Sequence, residues 1–270
     1  MINFVKFCKV AVCATVVLTV PVGAAEPPKQ IDVKNLSTIA KRVEDVVVPL
    51  PNEVFGALDK LGGVNWKEYV RSSKGSNFTE RPRIALLLGT VIADGFIAVQ
   101  AEDAPAVKDI GARVLALSRG IGVERSITPH AKAITDAADK RNWPGVRREL
   151  DRTQNSVQQA MSEMRDEKLS HLVSLGGWLR GTEVLTAVVN KRFSPDGAEL
   201  LHQPDLLVYF QDRLQAMPEF NLKLLEDIRT ALVEVRPLID VGPTPISPES
   251  VRRINEITTR LDEAIVTKTQ

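Results

Sequence analysis

Proline in this chain falls where helices can begin. Ser194-Pro195, Ser247-Pro248 and Thr128-Pro129 each put a hydroxyl at an N-cap and proline at the first helical position, where the missing N–H costs nothing. Asp103-Ala104-Pro105 and Asn142-Trp143-Pro144 offset the same arrangement by one residue. Between these starts apolar residues recur at three- and four-residue steps, and no stretch alternates apolar and polar residues for long enough to make a strand. The pattern predicts helices near 33–47, 52–61, 64–71, 81–102, 104–121, 129–141, 143–164, 166–193, 195–203, 205–217, 219–237 and 248–267. Short connections favour antiparallel neighbours, so the expected fold is all-α, a multi-helix bundle or an array of antiparallel helical hairpins. No fixed-period repeat points to a solenoid.

The first 25 residues stand apart. Lys6 and Lys9 precede an apolar run from Val10 to Val20, and Pro21-Val22-Gly23-Ala24-Ala25 follows, the order of a cleaved secretory signal peptide. The run falls short of the roughly 20 apolar residues that span a bilayer, so no stable membrane insertion is expected after cleavage. Both cysteines, Cys8 and Cys13, lie in this leader, and the exported chain then has no disulfide. The 270 residues less a 25-residue leader leave 245, enough to form a core without a covalent staple. The expected organisation is a leader at 1–25, a helical domain at 26–240, a proline-rich linker at 241–247 and an amphipathic helix at 248–270. Residues 71–79 read as a polar loop.

Charge excludes one class of partner. The 35 Lys and Arg nearly balance 34 Asp and Glu, and basic pairs such as Arg147-Arg148 and Arg252-Arg253 are interleaved with acids. These are solvated helix faces rather than a nucleic-acid surface. The chain also lacks a phosphate loop, a His-Glu-x-x-His helix, a haem-type Cys-x-x-Cys-His and a Gly-x-Ser-x-Gly elbow. No cofactor is therefore expected.

Two helices differ from the amphipathic majority. Between Ile84 and Val99 only Thr90 and Asp94 are polar, which predicts a central helix. Residues 169–189 are nearly as apolar but contain Gly176, Gly177 and Gly181. Each interior glycine costs about 1 kcal/mol against alanine, and close approach of another helix is the simplest compensation.

These two helices supply the candidate site. Asp94 is a carboxylate within the most apolar helix, and Arg180 is its counterpart beside Trp178, Leu179 and Gly181. The two can form a buried structural ion pair, or, with Trp178 and Glu183, hold a carboxylate-bearing or polar ligand. Glu183, one turn after Arg180, is an alternative partner for it. For metals, Glu199 and His202 have the three-residue spacing of helical di-iron sites, but the second such motif is missing. Glu167 and His171 have the wrong spacing, and His130 follows Pro129 at an expected helix start. No metal is expected.

The run from Arg165 through His171 to Gly181, with Gly89-Thr-Val-Ile-Ala-Asp-Gly95 and His202-Gln-Pro-Asp205, resembles exported all-helical bacterial proteins. The resemblance covers segments within about residues 80–240. It implies a periplasmic address, and no activity transfers from it.

Two functional expectations follow. One is a non-enzymatic periplasmic interaction or scaffold protein, meeting another protein through the apolar stripe Val251, Ile254, Ile257, Leu261 and Ile265 of the last helix. The other is a small-molecule-binding protein or enzyme with a pocket near Asp94 and Arg180. For the leader, the intact mass of protein from a periplasmic extract should correspond to an N-terminus at Glu26 or Ala25; recovery of the uncleaved chain from membranes would contradict export as a soluble protein.

Overall fold

The computed structural model describes residue 56 and residues 58–72, 78–164 and 166–267. The leader, the expected helix at 33–47 and half of that at 52–61 lie outside the described residues. Within them the chain is all-α and contains no strand. A short 3-10 turn, Trp66–Tyr69, precedes α1 (Arg81–Gln100), α2 (Ala104–Ile121), α3 (Glu124–Asp139) and α4 (Trp143–Met164). Next come α5 (Glu167–Lys191), α6 (Pro195–Glu199), α7 (Pro204–Gln215), α8 (Lys223–Ile239) and α9 (Pro248–Val266).

Four of the five expected caps are made as read. The side chains of Asp103, Asn142, Ser194 and Ser247 accept from the backbone N–H of Ala106, Gly145, Gly197 and Ser250 at 3.0–3.1 Å. Caps of this kind contribute about 1 kcal/mol each. Thr128-Pro129 is the exception. Its helix begins earlier, at Glu124, because Gly122 caps α2 in the left-handed conformation (φ 87°) and only Gly122 and Val123 separate the two helices. Pro129 thus lies inside α3, and the Thr128 hydroxyl donates to the Glu124 carbonyl at 2.9 Å instead of capping.

The helices form a sequence of neighbours. α5 is central, with α1 on one side and α9 on another; α2 covers α1, α3 covers α2, and α4 pairs with α3. On the other flank α8 packs on α9 and α7 on α8. α1 is long and apolar enough to cross a membrane, but Ile84, Leu86, Leu88, Val91, Ile97 and Val99 are buried within the protein.

The last helix is also internal. Val251, Ile254, Ile257, Leu261 and Ile265 are all 3% exposed or less, and they belong to the main core. The stripe read as a partner-binding face is occupied by the chain's own helices. The segment before it, read as a linker, is anchored in the same core by Ile246. Hydrogen bonds add to this docking: Asn255 Nδ2 donates to the Glu183 carbonyl and to Thr186 Oγ1, both at 3.0 Å.

The glycines explain how α1 and α5 meet. A Cβ on Gly89 would lie 1.8 Å from the Val173 carbonyl oxygen, and one on Gly176 would lie 2.0 Å from that of Leu86. The two backbones touch, and Thr90 Oγ1 donates across the contact to the Gly176 carbonyl at 3.3 Å. Gly181 differs. It is exposed and a Cβ there meets nothing within 4 Å, so close approach does not account for it.

Substitution should separate the two kinds of glycine. Gly89→Ala or Gly176→Ala must push the helices apart and is expected to lower stability by about 3 kcal/mol or more, the upper part of the range for overpacking. Gly181→Ala should raise it by about 0.5–1 kcal/mol through helix propensity. Chemical denaturation of the three variants checks both, and comparable losses at all three positions would contradict this account.

Candidate functional site

Close helix approach brings Asp94 of α1 within reach of Arg180 of α5. Arg180 Nε donates to Asp94 Oδ1 at 2.7 Å, Nη2 donates to the Tyr69 carbonyl at 2.7 Å, and Nη1 is paired with Glu183 Oε2. Both partners that the sequence offered for Arg180 are therefore engaged at once. Its side chain is only 4% exposed.

Two further residues complete the cluster. Arg71, which the sequence placed at the edge of a polar loop, reaches Asp94 with Nε at 3.2 Å and Nη2 at 3.0 Å. Its Nη1 is paired with Asp262 Oδ2 of α9. Asp94 accordingly accepts from two guanidinium groups, and the 3-10 segment, α1, α5 and α9 are all tied to one centre.

The charges do not balance pair by pair. Two guanidinium groups face three carboxyls, from Asp94, Glu183 and Asp262. Burial pushes the Asp262 carboxyl above its ordinary value, more strongly than Arg71 and Arg180 pull it down. Its Oδ1 is buried and has no hydrogen-bond partner. For Arg71, burial opposes the charge, but Asp94 and Asp262 outweigh it and hold the guanidinium above its usual range.

Trp178 does not join this group. Its indole N–H donates to Gln203 Oε1 at 3.2 Å, and its ring packs 5.6 Å from Phe210 of α7. Two residues along a helix turn the side chain by about 200°, so Trp178 and Arg180 leave α5 on nearly opposite sides. The structure brings together Asp94, Arg180 and Glu183, omits Trp178, and adds Arg71 and Asp262. Asp262 was readable, because it follows Ile254 and Thr258 at four-residue steps on the inner face of α9. Arg71 carried no local signal.

The histidines have local partners. His202 Nδ1 lies 3.2 Å from Glu199 Oε1, and His171 Nδ1 lies 2.7 Å from the Tyr209 hydroxyl. His130 does not stand at a helix start as expected. It projects from the body of α3 toward α4, between Glu149 and Ser156. Among the described residues no group of three or more His, Cys, Asp or Glu could hold a metal ion. Comparison with protein-family models, curated proteins and solved structures gave no match, so no activity is carried over from a relative.

The arrangement around Asp94 can hold a fold together but offers no free donor set to a substrate. Asp262 gives it a pH dependence. A carboxyl raised in the folded state contributes stability that is fully present below its unfolded value, near 3.8, and is lost as pH rises through the folded value. Asp262→Asn, neutral throughout, should therefore gain on the wild type as pH rises from about 3.5 to 7. Denaturation midpoints across that range check this, and a wild-type advantage growing with pH would show that the Arg71 pairing outweighs burial.

Proposed function

We propose that this chain is an exported helical scaffold or interaction protein, and that its bundle centre maintains structure rather than performing chemistry. One observation carries the reading. The charged groups that could have lined a pocket between α1 and α5 are turned on one another, with Arg180 bonded to Asp94, Glu183 and the Tyr69 carbonyl. A ligand carboxylate would have to displace a buried carboxylate from two guanidinium groups, leaving that carboxylate unpaired.

The N-terminal leader supports a periplasmic address, and the near balance of acids and bases supports a protein partner over a polyanion. Because the apolar stripe of α9 is used internally, the partner surface is assigned to the exposed faces. These are mainly polar and carry scattered apolar side chains such as Val233, which is 64% exposed.

A second reading, an activity, is favoured by a different place in the fold, the groove between α3 and α4. There a histidine links a carboxylate to a hydroxyl.

The scaffold reading is tested on native protein. In a periplasmic extract the chain should migrate in an assembly heavier than its own monomer, and tagging the co-migrating partner should recover this chain in return. Migration as a free monomer at native abundance, before and after mild crosslinking, would overturn it.

A further inference from the structure

The groove between α3 and α4 has a volume of about 310 Å³, and its lining includes Arg125, Pro129, His130, Ser156, Gln159 and Glu163. His130 spans it. Nδ1 lies 2.7 Å from Glu149 Oε1, and Nε2 lies 2.8 Å from Ser156 Oγ. Glu149 and Ser156 are seven residues apart on α4, two helical turns, and so lie on the face that meets α3.

The order of these groups fixes the direction of the protons. The hydrogen bond from His130, together with one from Arg152 at 3.2 Å, holds the Glu149 carboxyl below its ordinary value against the effect of burial. An ionised carboxylate only accepts, so Nδ1 of His130 must carry the proton. In the neutral ring Nε2 is then the acceptor, and the Ser156 hydroxyl donates to it. Carboxylate, imidazole and hydroxyl stand in the sequence that activates a serine nucleophile.

Other hydroxyls on these helices behave differently. Thr128, Thr135 and Thr153 each donate to the backbone carbonyl four residues earlier. Ser156 instead has its oxygen at an imidazole nitrogen, on the wall of an open groove.

We propose that Ser156 is the nucleophile of an acyl-transfer site that accepts small carboxylic esters, with His130 as general base and Glu149 as the group that positions it. The volume lies at the lower end of the range for small-molecule sites, which fits a short acyl group. Ser156 Oγ attacks the ester carbonyl carbon as its proton passes to His130 Nε2, and the carbonyl electron pair moves onto oxygen. Arg125, which lines the same groove, is the cation assigned to that negative charge. Collapse of the intermediate breaks the bond to the alkoxide, which takes the proton from His130. Water then attacks the acyl-serine by the same route and releases a carboxylic acid, restoring the serine.

This inference deepens the second reading and stands apart from the scaffold reading, whose test is migration in an assembly. The probe is an alkyl fluorophosphonate applied to the purified full chain, with the modified residue located by mass spectrometry. A single adduct on Ser156 is expected. His130→Ala should slow labelling at least about 100-fold, the lower bound for loss of a general base, and Glu149→Gln should slow it with circular dichroism unchanged. Labelled wild-type protein should also fail to release p-nitrophenol from p-nitrophenyl acetate at the unlabelled rate.

No adduct on Ser156, or label spread evenly over exposed serines, would overturn the proposal. If His130→Ala does not fold, Ser156→Cys in the otherwise unaltered chain replaces it. Beside His130 that thiol should be alkylated by iodoacetamide at least about tenfold faster than free cysteine at neutral pH, through its raised thiolate fraction. A rate no faster than free cysteine would equally overturn it.

Discussion

The contact on which the rest of this structure depends is between two backbones. At Gly89 and Gly176 the carbonyl oxygens of Val173 and Leu86 occupy the space where a Cβ would stand. Helices that meet through larger side chains are held 8–10 Å apart. Without side chains at the crossing, the short Asp94 carboxylate can reach a guanidinium carried by the opposite helix. Asp94 follows Gly89 by five residues and Arg180 follows Gly176 by four, so each charge lies about one turn beyond its glycine. The glycines therefore determine more than packing, because they set the distance at which the buried ion pair can form.

Once two charges are buried there, the surrounding chain has to complete their coordination. Arg180 takes the Tyr69 carbonyl and Glu183, while Asp94 takes a second guanidinium from Arg71, which brings Asp262 of α9 with it. Buried ion networks are poor sources of net stability, because desolvation offsets most of the attraction. Their effect here is on which segments meet. The 3-10 segment with α1, then α5, then α9 come from three separate parts of the sequence, and an alternative packing would leave at least one charge buried and alone. Asp262 shares the Arg71 guanidinium with Asp94 through Oδ2, and its buried Oδ1 has no hydrogen-bond partner.

Most of the fold was legible because its signals are local. Caps at Asp103, Asn142, Ser194 and Ser247 depend on residues three apart, and the burial of α1 follows from its own composition. Thr128-Pro129 misled because the same dipeptide is tolerated inside a helix if the preceding turn ends tightly, as it does at Gly122 and Val123. Three of the five residues of the central cluster were legible for a similar reason: Asp94 and Arg180 are charges in apolar surroundings, and Glu183 stands one turn after Arg180. Trp178 was grouped with Arg180 by proximity in sequence, which helical geometry contradicts. Arg71 has no such anomaly, since its partners lie 23 and 191 residues away. The relation of His130 to Glu149 and Ser156 was equally invisible, because it appears only when α3 and α4 are placed side by side.

The two polar centres differ in what they leave available. Around Asp94 the guanidinium and carboxylate groups come from four segments and are bonded to one another. In the α3–α4 groove the groups form a line, fixed at one end by an ionised carboxylate and ending at the other in a hydroxyl beside open space. Position in the array reinforces the difference. α4 packs chiefly on α3, and α3 on α4 and α2, with only small contacts from α4 to α1 and α5, so this hairpin lies toward one end of the succession of helices. No residue larger than glycine fits at positions 89 and 176 without moving α1 against α5. The glycine crossing and the line of Glu149, His130 and Ser156 are thus placed on different pairs of helices.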